Sequence, residues 1–133
     1  MIQVTCAILI QKGRILAAQR GPEMHLSGRW EFPGGKVEAG ESEADCLRRE
    51  IKEELNLEIQ PCKRLPESRF DDGERAICLI PYLCLLEGGR LTPREHDQVL
   101  WFDPEKLLEL NWCDADVPVV RHVYQNWKIL STL

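Results

Sequence analysis

GKVEAGESEADCLRREIKEELNL, residues 35 to 57, is the stretch that decides how the chain folds. Its spacing predicts a helix from about Ser42 to Leu55. Ser42 with Asp45 three residues later has the form of a capping box, the aspartate standing in for a longer glutamate. Ala44, Leu47, Ile51 and Leu55 recur at spacings of three, four and four, which makes one apolar stripe. Asn56 stands where the helix should end, and Asn is second only to Gly in the left-handed conformation used there.

Beside the stripe lie Glu50, Glu53 and Glu54, at i, i+3 and i+4 on one side of the helix, with Glu43 further up. Like charges at these spacings repel and destabilise an isolated helix. A divalent cation reverses the sign of that effect, because hard cations such as magnesium select carboxylate and carbonyl oxygens. Alone, Glu-x-x-Glu-Glu reads as a solvated acidic face. Its neighbours change the reading. Pro33-Gly34-Gly35-Lys36 lies immediately upstream, where two glycines let backbone approach a ligand and Lys36 offers a point charge suited to phosphate. Glu41 precedes the helix and Arg49 adjoins Glu50. A close-approach loop, a lysine and a carboxylate helix are what a metal–phosphate substrate needs.

Charge elsewhere is balanced. The 133 residues carry a net −5, and the segment from Glu38 to Glu58, with eight acidic and three basic residues, accounts for all of it. An acidic chain disfavours sequence-independent binding to a nucleic-acid backbone. At 44% hydrophobic and 29% charged, the composition excludes disordered and fibrous classes. No apolar run approaches the roughly 18 residues of a membrane helix, and MIQVTCAILI lacks the basic start and cleavage site of a signal peptide. Six cysteines at 6, 46, 62, 78, 84 and 113 show no paired zinc spacing. They read as reduced thiols of a cytoplasmic protein.

The chain reads as one domain, residues 1–133, with no repeat or linker. Residues 2–10 and 14–20 are strands about a Lys12-Gly13 hairpin turn. Residues 21–29 form a loop, Trp30-Glu31-Phe32 a short extended piece, and Pro33-Gly34-Gly35 a break in regular structure. Strands are expected at about 57–70, 76–86 and 98–102, with turns at Asp71-Asp72-Gly73 and Gly88-Gly89. Helices should follow at about 104–110 and 116–130. This order predicts an α/β fold with a mixed sheet covered by helices on both faces. Trp30, Trp101, Trp112 and Trp127 are expected to serve packing before any stacking role.

The 35–57 stretch closely resembles the Nudix box, Gly-x5-Glu-x7-Arg-Glu-apolar-x-Glu-Glu-x-Gly-apolar. Gly35, Glu41, Arg49, Glu50, Ile51, Glu53, Glu54 and Leu57 fall in register, and Asn56 replaces the family's last Gly. The resemblance implies the Nudix fold, an α/β/α sandwich with a mixed β-sheet. It also implies hydrolysis of a nucleoside diphosphate linked to another group. Glu50, Glu53 and Glu54 would hold Mg2+, with Mn2+ as a substitute, near a carbonyl of Gly34 or Gly35. Arg49 and Glu41 would orient those carboxylates, and Glu53 and Glu95 are the candidates for the base that activates water.

RGPEMHLSGRWEFPGGK is similar to the MutT branch of that family, which cleaves nucleoside triphosphates to monophosphate and pyrophosphate. By position Arg20 and His25 would face the substrate and Phe32 would lie by the base. REHDQVLWFDPEKL and DADVP look most like the CTP and 5-methyl-dCTP pyrophosphohydrolases of that branch. There Glu95 would add a metal ligand or base from a loop, and Glu31, Arg69, Arg75 and Asp116 would line the nucleoside pocket. By its own position Asp116 also suits a cap ahead of Val117-Pro118. A carboxylate there suits the exocyclic amine of cytosine and equally the edge of guanine or 8-oxoguanine. The Pro and Tyr that mark ADP-ribose and dinucleoside polyphosphate hydrolases are missing at Asp72-Gly73-Glu74-Arg75.

Three readings follow: a MutT-like enzyme that removes oxidised or modified nucleotides such as 8-oxo-dGTP, a pyrimidine-preferring enzyme acting on CTP, dCTP or 5-methyl-dCTP, and a non-catalytic nucleotide-binding module. The expected partner is a nucleoside triphosphate, with neither nucleic acid nor membrane, and the chain is expected to be a monomer or homodimer.

Overall fold

A computed structural model describes all residues, Met1–Leu133. The chain starts with β1 (Ile2–Gln11), which turns through Lys12 and Gly13, both at positive φ, into β2 (Arg14–Gln19). Short strands β3 (Trp30–Glu31) and β4 (Gly34–Lys36) precede helix α1 (Glu43–Leu55). Four more strands follow: β5 (Leu57–Arg64), β6 (Ser68–Asp71), β7 (Ala76–Gly89) and β8 (Gln98–Phe102). The chain ends with α2 (Pro104–Leu107), a 3-10 turn at Asp114–Asp116, α3 (Val117–Gln125) and α4 (Trp127–Leu130).

The sheet is mixed. Its spine runs β3-β2-β1-β7-β5, with β4 on β1, β6 on β7 and β8 on β2. β1 and β7 pair in parallel from Ile2↔Ile77 to Leu9↔Cys84, and the other pairings are antiparallel. Alternate β1 residues feed two cores, so the strand is apolar on both faces. Cys6 and Ile8 join Val119, Val120 and Val123 of α3 on one side. Ala7 and Leu9 meet Leu47, Ile51 and Leu55 of α1 on the other. The α/β/α sandwich expected from the sequence is the fold observed. Each fully buried Leu or Ile contributes about 1.5–3 kcal/mol relative to exposure, and the stripe on α1 supplies three of them.

Several local expectations are corrected. Gly34–Lys36 is a strand, not a break, paired antiparallel to β1 with Cys6↔Gly34 and Thr5↔Gly35. Glycine permits this approach, since a Cβ on Gly34 would overlap the Thr5 carbonyl oxygen. The strand expected at 57–70 is interrupted between Arg64 and Ser68. β7 continues to Gly89, opposite Leu57, so no turn forms at Gly88-Gly89. The C-terminal helices are shorter than their pattern, and Asn126 at φ −109°, ψ 16° separates α3 from α4.

The caps of α1 show a similar mixture. Ser42 Oγ accepts the Asp45 backbone N–H at 3.1 Å, whereas the short Asp45 carboxylate bonds Arg48. Asn56 ends the helix at φ 58°, ψ 34°, the left-handed geometry its replacement of Gly requires. All six cysteines are free thiols, five of them buried. Trp30 and Trp112 are buried, and Trp101 and Trp127 pack against the two cores.

Candidate active site

Arg49 organises the acidic face of α1. Its guanidinium donates to both Glu41 oxygens, at 3.1 and 2.7 Å, to Glu50 Oε1 at 2.9 Å and to Glu53 Oε2 at 3.3 Å. It also donates to the Lys36 carbonyl at 3.3 Å. Helical spacing brings Glu50 and Glu53 to Arg49, and the loop before the helix brings Glu41. Glu50 lies directly against Gly35, where any Cβ would occupy the space of its carboxylate. The close approach expected of this glycine therefore serves a carboxylate of the protein itself. The Gly35 carbonyl accepts from Thr5 Oγ1 at 3.3 Å and from the Cys46 thiol at 3.6 Å.

Glu54 sits deeper. Its Oε2 is buried without a hydrogen-bond partner. Burial pushes its carboxyl up to about 9, reinforced by the charges of Glu31 and Glu50, a hydrogen bond with Glu50 and the charge of Glu95. Glu50 is raised as well, chiefly by burial against the lowering effect of Arg49. Glu95 reaches this neighbourhood because its loop docks on the end of α1, with Thr92 N–H on Leu55 O at 2.9 Å and Arg94 N–H on Glu54 O at 3.2 Å.

No three His, Cys, Asp or Glu side chains are grouped closely enough to hold a metal ion in this arrangement, in which Arg49 occupies Glu50 and Glu53. The donor chemistry nevertheless fits a hard divalent cation. Crowded carboxylates, one with an orphaned buried oxygen, are what such an ion stabilises. Glu50, Glu54 and Glu95, with exposed Glu53 beside them, are the side chains available to hold it.

A cleft opens next to these carboxylates. Arg20, His25, Glu31, Phe32, Gly34, Arg75 and Asp116 line it, together with Thr5, Leu26, Phe70 and Cys113. Asp116 is fully buried and its Oδ2 accepts the Phe32 backbone N–H at 3.0 Å. Burial, then the charge of Glu31, raises its carboxyl well above the usual range. The side chain makes no cap bond to α3. The capping expected of it gives way to this contact with Phe32. Phe32 packs on Trp112 with ring centroids 4.7 Å apart.

Two residues expected to bind substrate are not part of the cleft wall. Arg69 is exposed on the opposite side of β6 from Phe70 and pairs with Glu67 at 2.9 Å. A strand alternates its side chains, so only one of these neighbours can face the cleft. Lys36 is exposed and absent from the cleft wall. His96, which no motif marks, is buried with Nε2 2.8 Å from Glu31 Oε2. Its only signal was the place beside Glu95 in REHDQ. Thr5, which accompanies the Gly35 carbonyl and the cleft, was likewise hidden within an apolar strand.

Residues 1–123 match the model of the NUDIX domain. The chain belongs to the Nudix family. It is 36% identical over 120 residues to the CTP pyrophosphohydrolase of Escherichia coli K12, covering 90% of this chain and 89% of that one. It is 30% identical to the 8-oxo-dGTP diphosphatase of Proteus vulgaris over 71% of this chain and 85% of the relative. The solution structure of the E. coli ORF135 protein superposes with a TM-score of 0.84 at 34% identity, over 95% of this chain and 90% of that one. The MutT protein of Methanosarcina mazei Go1, at 22% identity, shares the fold with a TM-score of 0.83, over 96% and 94% of the two chains. The protein is a Nudix hydrolase acting on phosphorus-containing anhydrides, and its family acts on nucleotides with divalent metal ions. No helix is long and apolar enough to cross a membrane.

Proposed function

We propose that this Nudix protein is a magnesium-dependent nucleoside triphosphate pyrophosphohydrolase of MutT type, acting on oxidised or modified nucleotides in the cytoplasm. The observation that carries the reading is that Glu31, in the wall of a cleft lined also by Arg20, Phe32 and Asp116, is near enough to Glu54 of α1 for its charge to raise that carboxyl. Magnesium held by Glu50, Glu53, Glu54 and Glu95 would supply neutralising charge for the polyphosphate and acidify a water molecule when bound. Arg49 keeps Glu41, Glu50 and Glu53 in register. Glu53 is exposed and Glu95 unpaired, so either has the freedom to take the proton from water. The triphosphate lies along α1 and the base enters the cleft.

Two acids in that cleft, Glu31 and Asp116, are placed to read the base. Burial and the charge of Glu31 raise the Asp116 carboxyl well above its usual range, which favours its neutral, donor-capable form, while the Glu31 carboxylate beside it is an acceptor. Cytosine offers an acceptor and a donor side by side at N3 and N4. 8-Oxoguanine does so at O6 and its N7–H. Guanine does so too, at O6 and N1–H, so the nucleotide panel and not this pair of acids separates the three bases. The 36% identity to a CTP pyrophosphohydrolase favours a second reading, a preference for CTP, dCTP or 5-methyl-dCTP.

The test is a panel of CTP, dCTP, 5-methyl-dCTP, 8-oxo-dGTP, dGTP and ADP-ribose with magnesium, read as kcat/KM and product identity. Pyrophosphate release led by 8-oxo-dGTP supports the first reading, and a lead by cytosine nucleotides supports the second. Tight nucleotide binding without turnover overturns both.

A further inference from the structure

Glu31 stands at the junction of the cleft and the α1 carboxylates, and both of its oxygens are engaged. Arg20 Nη1 donates to Oε1 at 2.6 Å, and His96 Nε2 lies 2.8 Å from Oε2. The His96 side chain is only 2% exposed and its Nδ1 has no partner. With a carboxylate against Nε2 and nothing against Nδ1, the tautomer that leaves no N–H unsatisfied carries its proton on Nε2 and donates to Glu31.

The two donors are themselves fixed. Arg20 Nε donates to the His25 carbonyl, which ties the loop of residues 21–29 to Glu31. Ahead of β8, Asp97 N–H donates to the Gln19 carbonyl at 2.9 Å. The Glu95 carbonyl oxygen packs so closely on Gly21 that a Cβ there would overlap it. His96 is thus set in place from β2 and the following loop, independently of Glu31.

We propose that His96 is a positioning residue: with Arg20 it clamps Glu31 in the cleft wall and thereby sets nucleobase discrimination. The inference rests on the pyrophosphohydrolase reading and adds to it a residue that touches no substrate. A freely rotating Glu31 would accept from many bases in many geometries. One gripped at both oxygens offers a single direction, and specificity follows from that restriction.

The experiment compares wild type, His96→Leu and His96→Gln, the Gln amide supplying a donor near the position of Nε2. The leucine variant should lose about tenfold in discrimination between the preferred base and dGTP. The loss should fall on KM more than on kcat, and the glutamine variant should recover most of it. Equal losses in both variants, or none in either, overturn the proposal, provided their unfolding midpoints match wild type. Variants that unfold are judged by nitrogen-15 imidazole spectra of the wild-type protein. A proton on Nε2, with a resonance that moves in Glu31→Gln, supports the clamp. A proton on Nδ1, or a spectrum indifferent to Glu31→Gln, overturns it. Inactivity of wild type across the nucleotide panel overturns the hydrolase reading instead, and the imidazole spectrum still decides the clamp.

Discussion

Arg49 grips Glu41 by two parallel hydrogen bonds, Nε to Oε2 at 3.1 Å and Nη2 to Oε1 at 2.7 Å. These bonds, with the Glu38 backbone N–H on Glu41 Oε1, hold the Glu41 carboxyl down at about 2 against an ordinary 4.5. A carboxyl lowered on folding stabilises the folded state above its unfolded pKa, and that contribution is lost as pH falls through about 2. Glu41→Gln should therefore be less stable than wild type at pH 7, with the gap closing in acid. Urea unfolding at pH 7, 4 and 2 reads the convergence; a gap independent of pH rules out the ion pair as its source.

Glu54 has the opposite sign. Its carboxyl at about 9 takes up a proton on folding, so it favours the folded state below about 4.5, and this advantage is lost as pH rises through 9. A divalent cation must displace that proton. Magnesium added at pH 8 is expected to raise the melting temperature and release protons, both visible by calorimetry in buffers of different ionisation enthalpy. Glu54→Gln should abolish both effects, stabilise the metal-free protein at pH 8 by about 2 kcal/mol, and lower turnover by roughly a hundredfold or more. A magnesium shift that survives in this variant removes Glu54 from the cation site.

Gly34 and Gly35 separate fold from chemistry. A Cβ on Gly34 meets the Thr5 backbone, which cannot give way without parting β4 from β1. Gly34→Ala should cost about 1–3 kcal/mol or more. A Cβ on Gly35 meets the end of the flexible Glu50 side chain. Gly35→Ala should leave the unfolding midpoint nearly unchanged while displacing Glu50 and lowering activity. Thermal melts beside activity assays check the contrast, and equal destabilisation by both changes contradicts it.

Burial and the charge of Glu31 push the Asp116 carboxyl up, toward its neutral form, and Asp116→Asn keeps an uncharged group with an acceptor for the Phe32 N–H. Its stability should stay within about 1 kcal/mol of wild type, whereas Asp116→Ala, which orphans that N–H, should lose about 1–3 kcal/mol. Chemical denaturation at pH 7 distinguishes them. The opposite order of stability would show that Asp116 is held as an anion.

The parts of this molecule legible in sequence are those governed by local periodicity. The Leu47-Ile51-Leu55 stripe, the Ser42 cap and the Asn56 terminus follow from 3.6-residue spacing and backbone preference. Likewise, Arg49 meets Glu50 and Glu53 because its helix makes them neighbours. What stayed hidden depends on distant partners. Pro33-Gly34-Gly35 has the composition of a break, and only the Thr5 backbone across from it makes it a strand. Asp116 has the position of a cap, yet the Phe32 N–H, 84 residues away in sequence, takes its carboxyl. The face presented by Arg69 turns on strand register, where a one-residue shift exchanges it with Phe70. Nothing local distinguishes buried His96 from a surface histidine in a polar run.

The parallel pairing of β1 with β7 has a consequence for how the molecule is made. β1 leaves the ribosome ahead of the other strands of this sheet, apolar on both faces, and its partner, Ile77–Cys84, follows 75 residues later. Until that partner is synthesised, β2 is its one neighbour adjacent in sequence, so a sticky edge stays open while α1 is already able to form. Closing so long a loop places assembly of this sheet among the slower folding reactions. Gly34 and the Glu50 that rests on Gly35 need not wait for it, because β4 is built onto the edge of β1 opposite β7. The strand beneath the carboxylates of α1 can thus form early, whereas Glu95 and Asp116, which follow β7 in the chain, join the site after the central strand pair is available.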